Sequence, residues 1–110
     1  MLGKASLMLE LLRSKQNELA EICRHRHVRR LGVFGSAATG GFNPASSDLD
    51  FLVEFEPLPP GEHAEHYFGL AEDLRRLFAL PVDLVELEPI RNPYFREAVE
   101  ETQVPLYVAA

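Results

Sequence analysis

Apolar residues recur at helical spacing through the first part of the chain. Met8, Leu12, Leu19, Ile22 and Cys23 line one side of a helix predicted from about Ala5 to His25. Lys15 and Gln16 interrupt that stripe, which predicts a break near Arg13–Lys15. Arg29–Phe34 reads as a strand that ends at Gly35-Ser36. Ala37 to Ser47 is rich in Gly, Ala, Ser, Asn and Pro and predicts a loop with one helical turn. Leu49–Phe55 then alternates: Leu49, Phe51, Val53 and Phe55 face one way, and Asp48, Asp50, Leu52 and Glu54 the other. Pro57, Pro59, Pro60 and Gly61 force a loop. Ala64, Tyr67, Phe68, Ala71, Leu74, Leu77 and Phe78 make the clearest helical stripe in the chain. Val82–Leu87 predicts a third strand. Asn92-Pro93 starts a helix running to about Glu100, a capping side chain followed by proline in the first turn. Val104–Val108 closes the series as an edge strand. The order predicts an α/β (α+β) domain, a small mixed β-sheet with helices packed against it, filling residues 1–110 as one unit.

Composition narrows this picture only a little. With 110 residues, 46% hydrophobic and 25% charged, the chain has ordinary globular usage and a thin core. Seventeen acidic against 11 basic residues leave a net charge of −6, which argues against gripping nucleic acid through its phosphates. A nucleotide substrate stays open, because metal ions bridge carboxylates to phosphates. One cysteine, Cys23, cannot form an internal disulfide and fits a reducing compartment. The apolar stretch Ser6 to Leu12 is too short to span a membrane and no secretory leader is expected after Met1, so a cytoplasmic protein is expected.

The candidate chemistry begins with Asp48 and Asp50. Two residues apart on a strand, their side chains leave the same face with Cα atoms roughly 6.5–7 Å apart, so both can reach one or two hard cations. An isolated Asp-x-Asp is usually just a polar strand face. Asp83, however, interrupts the apolar run Pro81-Val82-Asp83-Leu84-Val85, where a carboxylate must be exposed at an edge, paired or bound to metal. If its strand neighbours that of Asp50, three carboxylates meet on one face. Neither strand carries a basic residue, and such oxygen ligands suit magnesium or manganese. Val33-Phe34-Gly35-Ser36 adds a second feature. A glycine at a strand end admits a ligand close to the backbone, and the next amides with the Ser36 hydroxyl can hold phosphate oxygens.

Gly35-Ser36, Asp48-x-Asp50 and Asp83 together resemble the motif set of the DNA polymerase β-like nucleotidyltransferase superfamily. The likeness is greatest to its minimal members, the MNT antitoxins, and covers the whole chain. It runs through Ser47-Asp48-Leu49-Asp50-Phe51-Leu52-Val53-Glu54-Phe55, through Arg76 to Val85, and through the ending Asn92 to Tyr107. The resemblance implies transfer of AMP from ATP to a tyrosine of a HEPN-type toxin encoded nearby, and a hetero-oligomer or homodimer with no membrane or direct nucleic-acid partner. It also implies two divalent ions, Mg2+ or Mn2+. One, held by Asp48 and Asp50, would bind the triphosphate; the other, shared with Asp83, would activate the attacking hydroxyl. Gly35 and Ser36 would hold phosphate. One departure is visible: the family often has arginine in its Gly-Ser-x-Ala-Arg-Gly turn, where this chain has Thr39.

Other residues invite less. His63 and His66 are expected to face solvent, since Ala64, Tyr67 and Phe68 define the buried side. The basic run Arg24 to Arg30 is simplest as a helix C-terminus, where cations suit the dipole, with contact to ATP phosphates or an RNA-bearing partner as the alternative. Cys23 is expected in the core. Glu54 shares the face of Asp50 and has at most a supporting role. Two alternative functions remain at this point. One is a small-molecule nucleotidyltransferase, for whose usual added substrate domain 110 residues leave no room. The other is a module that neutralises its partner by binding alone.

Overall fold

A computed structural model describes residues 4–40, 43, 47–87 and 92–110, with side chains from Leu7 onward. Residues 41–42 and 44–46 of the expected loop lie outside the described residues. The predicted first helix divides where its apolar stripe fails, into α1 (Lys4–Ser14) and α2 (Gln16–His25), with Lys15 between them. Glu18 in the first turn of α2, and Arg24 and His25 in its last, match the helix dipole. β1 (Val28–Phe34) leads into the four-residue turn of helix α3 (Ser36–Thr39), and β2 (Leu49–Phe55) follows. α4 (His63–Phe78) ends at Ala79, which adopts the left-handed conformation at φ 55°. β3 (Val82–Glu86), α5 (Pro93–Thr102) and β4 (Val104–Val108) complete the order. The Asn92 side chain caps α5 as expected, accepting hydrogen bonds from Tyr94 N at 3.0 Å and Phe95 N at 3.3 Å.

The four strands form one mixed sheet in the order β3-β2-β1-β4. β1 runs antiparallel to both β2 and β4, whereas β2 and β3 are parallel. Period-two alternation gives the sheet two apolar faces. Leu31, Val33, Leu49, Phe51, Val53, Val82 and Leu84 pack with Leu12, Leu19, Cys23, Leu70, Leu74 and Phe78 in the main core, beneath α1, α2 and α4. Phe51 is fully buried and stacks on Phe78 with ring centroids 5.9 Å apart. Burial of one such ring stabilises the fold by about 1.5–3 kcal/mol. On the opposite face, Leu52, Leu87 and Val99 form a smaller cluster under α5, joined by Phe34 and Val85.

Three expectations for α4 fail. Ala64 is exposed, Phe68 is 67% exposed, and His66 is buried. The buried side follows His66, Leu70, Leu74 and Phe78 at strict four-residue steps with Ala71 beside them, so the helix is rotated from the predicted stripe. The cause lies outside α4. His27, itself in a left-handed conformation at φ 60°, sets its ring edge-on against His66 at 4.9 Å. His63 does face solvent and binds Glu86 at 2.7 Å.

Candidate active site

The strand alternation that buries Leu49 and Phe51 against the helices sends Asp50 to the other face of the sheet. Registers across three strands decide what it meets. Phe34, the last residue of β1, pairs with Asp50, and Asp50 pairs with Asp83 on the parallel neighbour β3. Asp50 and Asp83 thus sit on adjacent strands, about 4.8 Å apart in the sheet. Asp48 lies just before β2 and is exposed, as is Asp83 on its edge strand, while Asp50 is half-buried between them.

Gly35 comes next to Asp50 from the other side. Its φ of 67° and ψ of −145° belong to a region that side-chain-bearing residues rarely enter. A Cβ there would also collide with Asp50 Oδ2. Backbone and carboxylate share a space that only glycine leaves open. Ala38 N and Thr39 N both donate to Gly35 O at 3.1 Å, so the N–H groups of Ser36 and Ala37 precede the first bonds of the turn. Thr39 Oγ1 folds back onto the same carbonyl at 3.1 Å, which turns its hydroxyl into the loop.

Like charges crowd Asp50 at this edge. Burial, then the charge of Asp83, then that of Asp48 raise the Asp50 carboxyl above the usual aspartate value of 3.8. No cationic side chain lies on β2 or β3. Arg29 and Arg30 are spent on Glu54, at 3.2 and 2.6 Å, and their hydrogen bonds and charges hold its carboxyl below the ordinary range. Glu54 therefore belongs to a surface ion-pair group and not to the aspartate cluster. The rest of the basic run is also engaged: Arg24 with Glu21, Arg26 with Asp73 at 2.8 Å. Burial pushes the Cys23 thiol up to about 12, so it stays protonated in the core.

Among the described residues no three carboxylate, imidazole or thiol groups are already drawn together as a metal-ligating group. The three aspartates are near enough to feel one another's charge, with the outer two side chains in solvent and free to rotate. A half-buried carboxylate crowded by two others, with no cation paired to it among the described residues, has donor chemistry that suits a hard divalent ion. One contact had no signal in the sequence beyond a tyrosine standing in an apolar stripe. Tyr67 reaches across from α4 and donates its hydroxyl to Leu84 O, beside Asp83.

Residues 17–104 match the nucleotidyltransferase domain family. The chain belongs to that family. It is an enzyme of the nucleotidyltransferase class and stands with the minimal members. The protein adenylyltransferase MntA of Thermococcus cleftensis is 34% identical over 98 residues, covering 88% of this chain and 95% of that relative. A solved structure assigned as a minimal nucleotidyltransferase is 33% identical, with a TM-score of 0.72 over 88% of this chain and 94% of that one. The fold is shared as well with a complex of the tri-AMPylated Shewanella oneidensis HEPN toxin and its MNT antitoxin. There the TM-score is 0.60 at 18% identity, covering 89% of this chain and 73% of the matched one. The minimal architecture expected from the motif order, a four-stranded mixed sheet with flanking helices, is the one observed. Among the described residues no helix is long and apolar enough to cross a membrane.

Proposed function

We propose that this nucleotidyltransferase transfers AMP from ATP to a tyrosine hydroxyl of a HEPN-type toxin, acting as antitoxin to that partner in the cytoplasm. The observation that carries the reading is the register that sets Asp50 on β2 between Asp83 on β3 and the end of β1, where Gly35 follows Phe34, with Asp48 beside them. The protein adenylyltransferase relative and the toxin–antitoxin neighbour lend it their chemistry. In this reading Asp48, Asp50 and Asp83 would hold two divalent ions, Mg2+ or Mn2+. Divalent ions there supply charge neutralisation at the triphosphate and acidify the acceptor hydroxyl.

The chain's own groups have distinct tasks. The open space over Gly35, with the amides of Ser36 and Ala37 and the Ser36 hydroxyl, receives phosphate oxygens of ATP. Asp83, on the exposed edge strand, faces an acceptor arriving from solvent and takes the proton of its hydroxyl. The hydroxyl oxygen bonds to the α-phosphorus, the bond from that phosphorus to the bridging oxygen breaks, and pyrophosphate leaves with its electron pair.

The test incubates the protein with the product of the neighbouring gene, ATP and magnesium, and reads the intact mass of both chains. One or more AMP additions on the partner, absent with Asp50→Ala, are expected. Undiminished transfer by Asp50→Ala overturns the reading.

A further inference from the structure

β3 is an edge strand of five residues, and an edge strand leaves every second carbonyl without a ladder partner. Pro81 O faces inward and accepts from Leu49 N at 2.8 Å, so the carbonyls of Val82 and Leu84 point outward, on either side of Asp83. Both are held from α4. Tyr67 Oη donates to Leu84 O, and Arg75 Nη2 donates to Val82 O at 3.3 Å. The two donors lie eight residues apart on α4, and they grip the two carbonyls that bracket Asp83. Asp83 itself is tied inward through its pairing with Asp50.

We infer that Tyr67 and Arg75 are positioning residues for the aspartate cluster. Acting through the β3 backbone, they fix where the Asp83 carboxylate stands relative to Asp50. Tyr67 is packed in the main core by its ring, so its hydroxyl is not needed to fill space. A phenylalanine would serve packing equally well. What the hydroxyl adds is a clamp on the peptide next to Asp83. Arg75 is half-exposed and pairs also with Glu72 at 3.8 Å, yet only its bond to Val82 O ties it to the strand. The inference rests on the reading of Asp48, Asp50 and Asp83 as metal ligands, and it assigns the clamp to metal affinity ahead of ATP affinity. Groups that support ligands without touching the ion typically change affinity by about ten- to a hundred-fold.

The experiment measures Mn2+ binding in the absence of ATP, by electron paramagnetic resonance, for wild type, Tyr67→Phe, Arg75→Met, Arg75→Lys and Arg76→Ala. Arg76 pairs only with Glu72, at 3.7 Å, and serves as the control. Tyr67→Phe and Arg75→Met are expected to weaken Mn2+ by roughly ten-fold, Arg75→Lys by less, and Arg76→Ala not at all. Amide hydrogen exchange on the metal-free proteins supplies a second readout. Asp83 and Val85 should exchange faster in Tyr67→Phe, with Leu31 and Val33 unchanged, which separates a local loosening of β3 from a general loss of stability. Wild-type Mn2+ affinity in both Tyr67→Phe and Arg75→Met overturns this inference alone. A wild-type protein that takes up no Mn2+ removes the metal reading and this inference with it.

Discussion

Asp50 shows how a single residue can work against the fold that holds it. Its carboxyl titrates above its unfolded value, so the native state binds its proton more tightly than the unfolded chain does. The stabilisation that goes with that proton is fully present below the usual value of 3.8 and is lost as pH rises through the raised native value. At neutral pH the metal-free protein therefore carries the charge at a cost. Asp50→Asn removes it. The variant should melt above wild type at pH 7 without metal, and the difference should shrink as pH falls through the raised native value and be gone below the usual 3.8. Thermal unfolding followed by circular dichroism at both pH values checks this; a variant that melts below wild type at pH 7 contradicts it. The sequence made this residue legible in part. Period-two alternation places Asp48, Asp50 and Glu54 on one face, but no local pattern says which strand lies next to β2. Only the order β3-β2-β1 reveals that Asp50 meets Asp83 and Gly35, and that Glu54 belongs instead to Arg29 and Arg30.

Elements were easiest to foresee where the signal is covalent or strictly local. The first helix breaks at Lys15 because a polar pair, Lys15 and Gln16, interrupts its buried stripe, and Asn92 starts α5 because its side chain reaches the N–H groups of Tyr94 and Phe95. α4 was misjudged in rotation because its buried face is set by what packs against it. Leu70, absent from the predicted stripe, is fully buried, and His66 turns inward against His27. The end of α4 holds a second local conflict. Ala79 takes the left-handed cap at φ 55°, donating its N–H to Arg75 O at 2.8 Å, in a position that glycine occupies more cheaply. The left-handed conformation costs a residue with a Cβ about 1–2 kcal/mol, against which glycine's greater unfolded freedom sets about 0.4–1 kcal/mol. Ala79→Gly should raise stability by about 0.5–1 kcal/mol in urea titration. A destabilised variant would show that the cap is held by something other than its backbone conformation.

The whole molecule carries more apolar surface than its two cores absorb. Of the aromatics on α4, α5 and β4, Tyr67 and Tyr107 pack against the main core, whereas Phe68, Tyr94 and Phe95 stay 67%, 82% and 50% exposed. Two of these sit side by side in the first turn of α5, on an acidic chain of net charge −6. Exposed aromatic pairs of this kind are common anchors of protein contacts, and the charge favours a partner with a basic face. Replacing both Tyr94 and Phe95 with Ser should weaken the complex with the proposed toxin partner by about ten-fold or more, measured by calorimetric titration, while leaving the melting temperature near wild type. Unchanged affinity would place the contact elsewhere. The sheet order has one more consequence, and it concerns time. β1 pairs on one side with β2, made soon after it, but on the other with β4, where Leu31 meets Tyr107. At synthesis rates of about 5–20 residues per second, roughly 4–15 s separate the two strands of that pair. For those seconds β1 has no partner on that side and offers an open edge that β4 must claim before another molecule does.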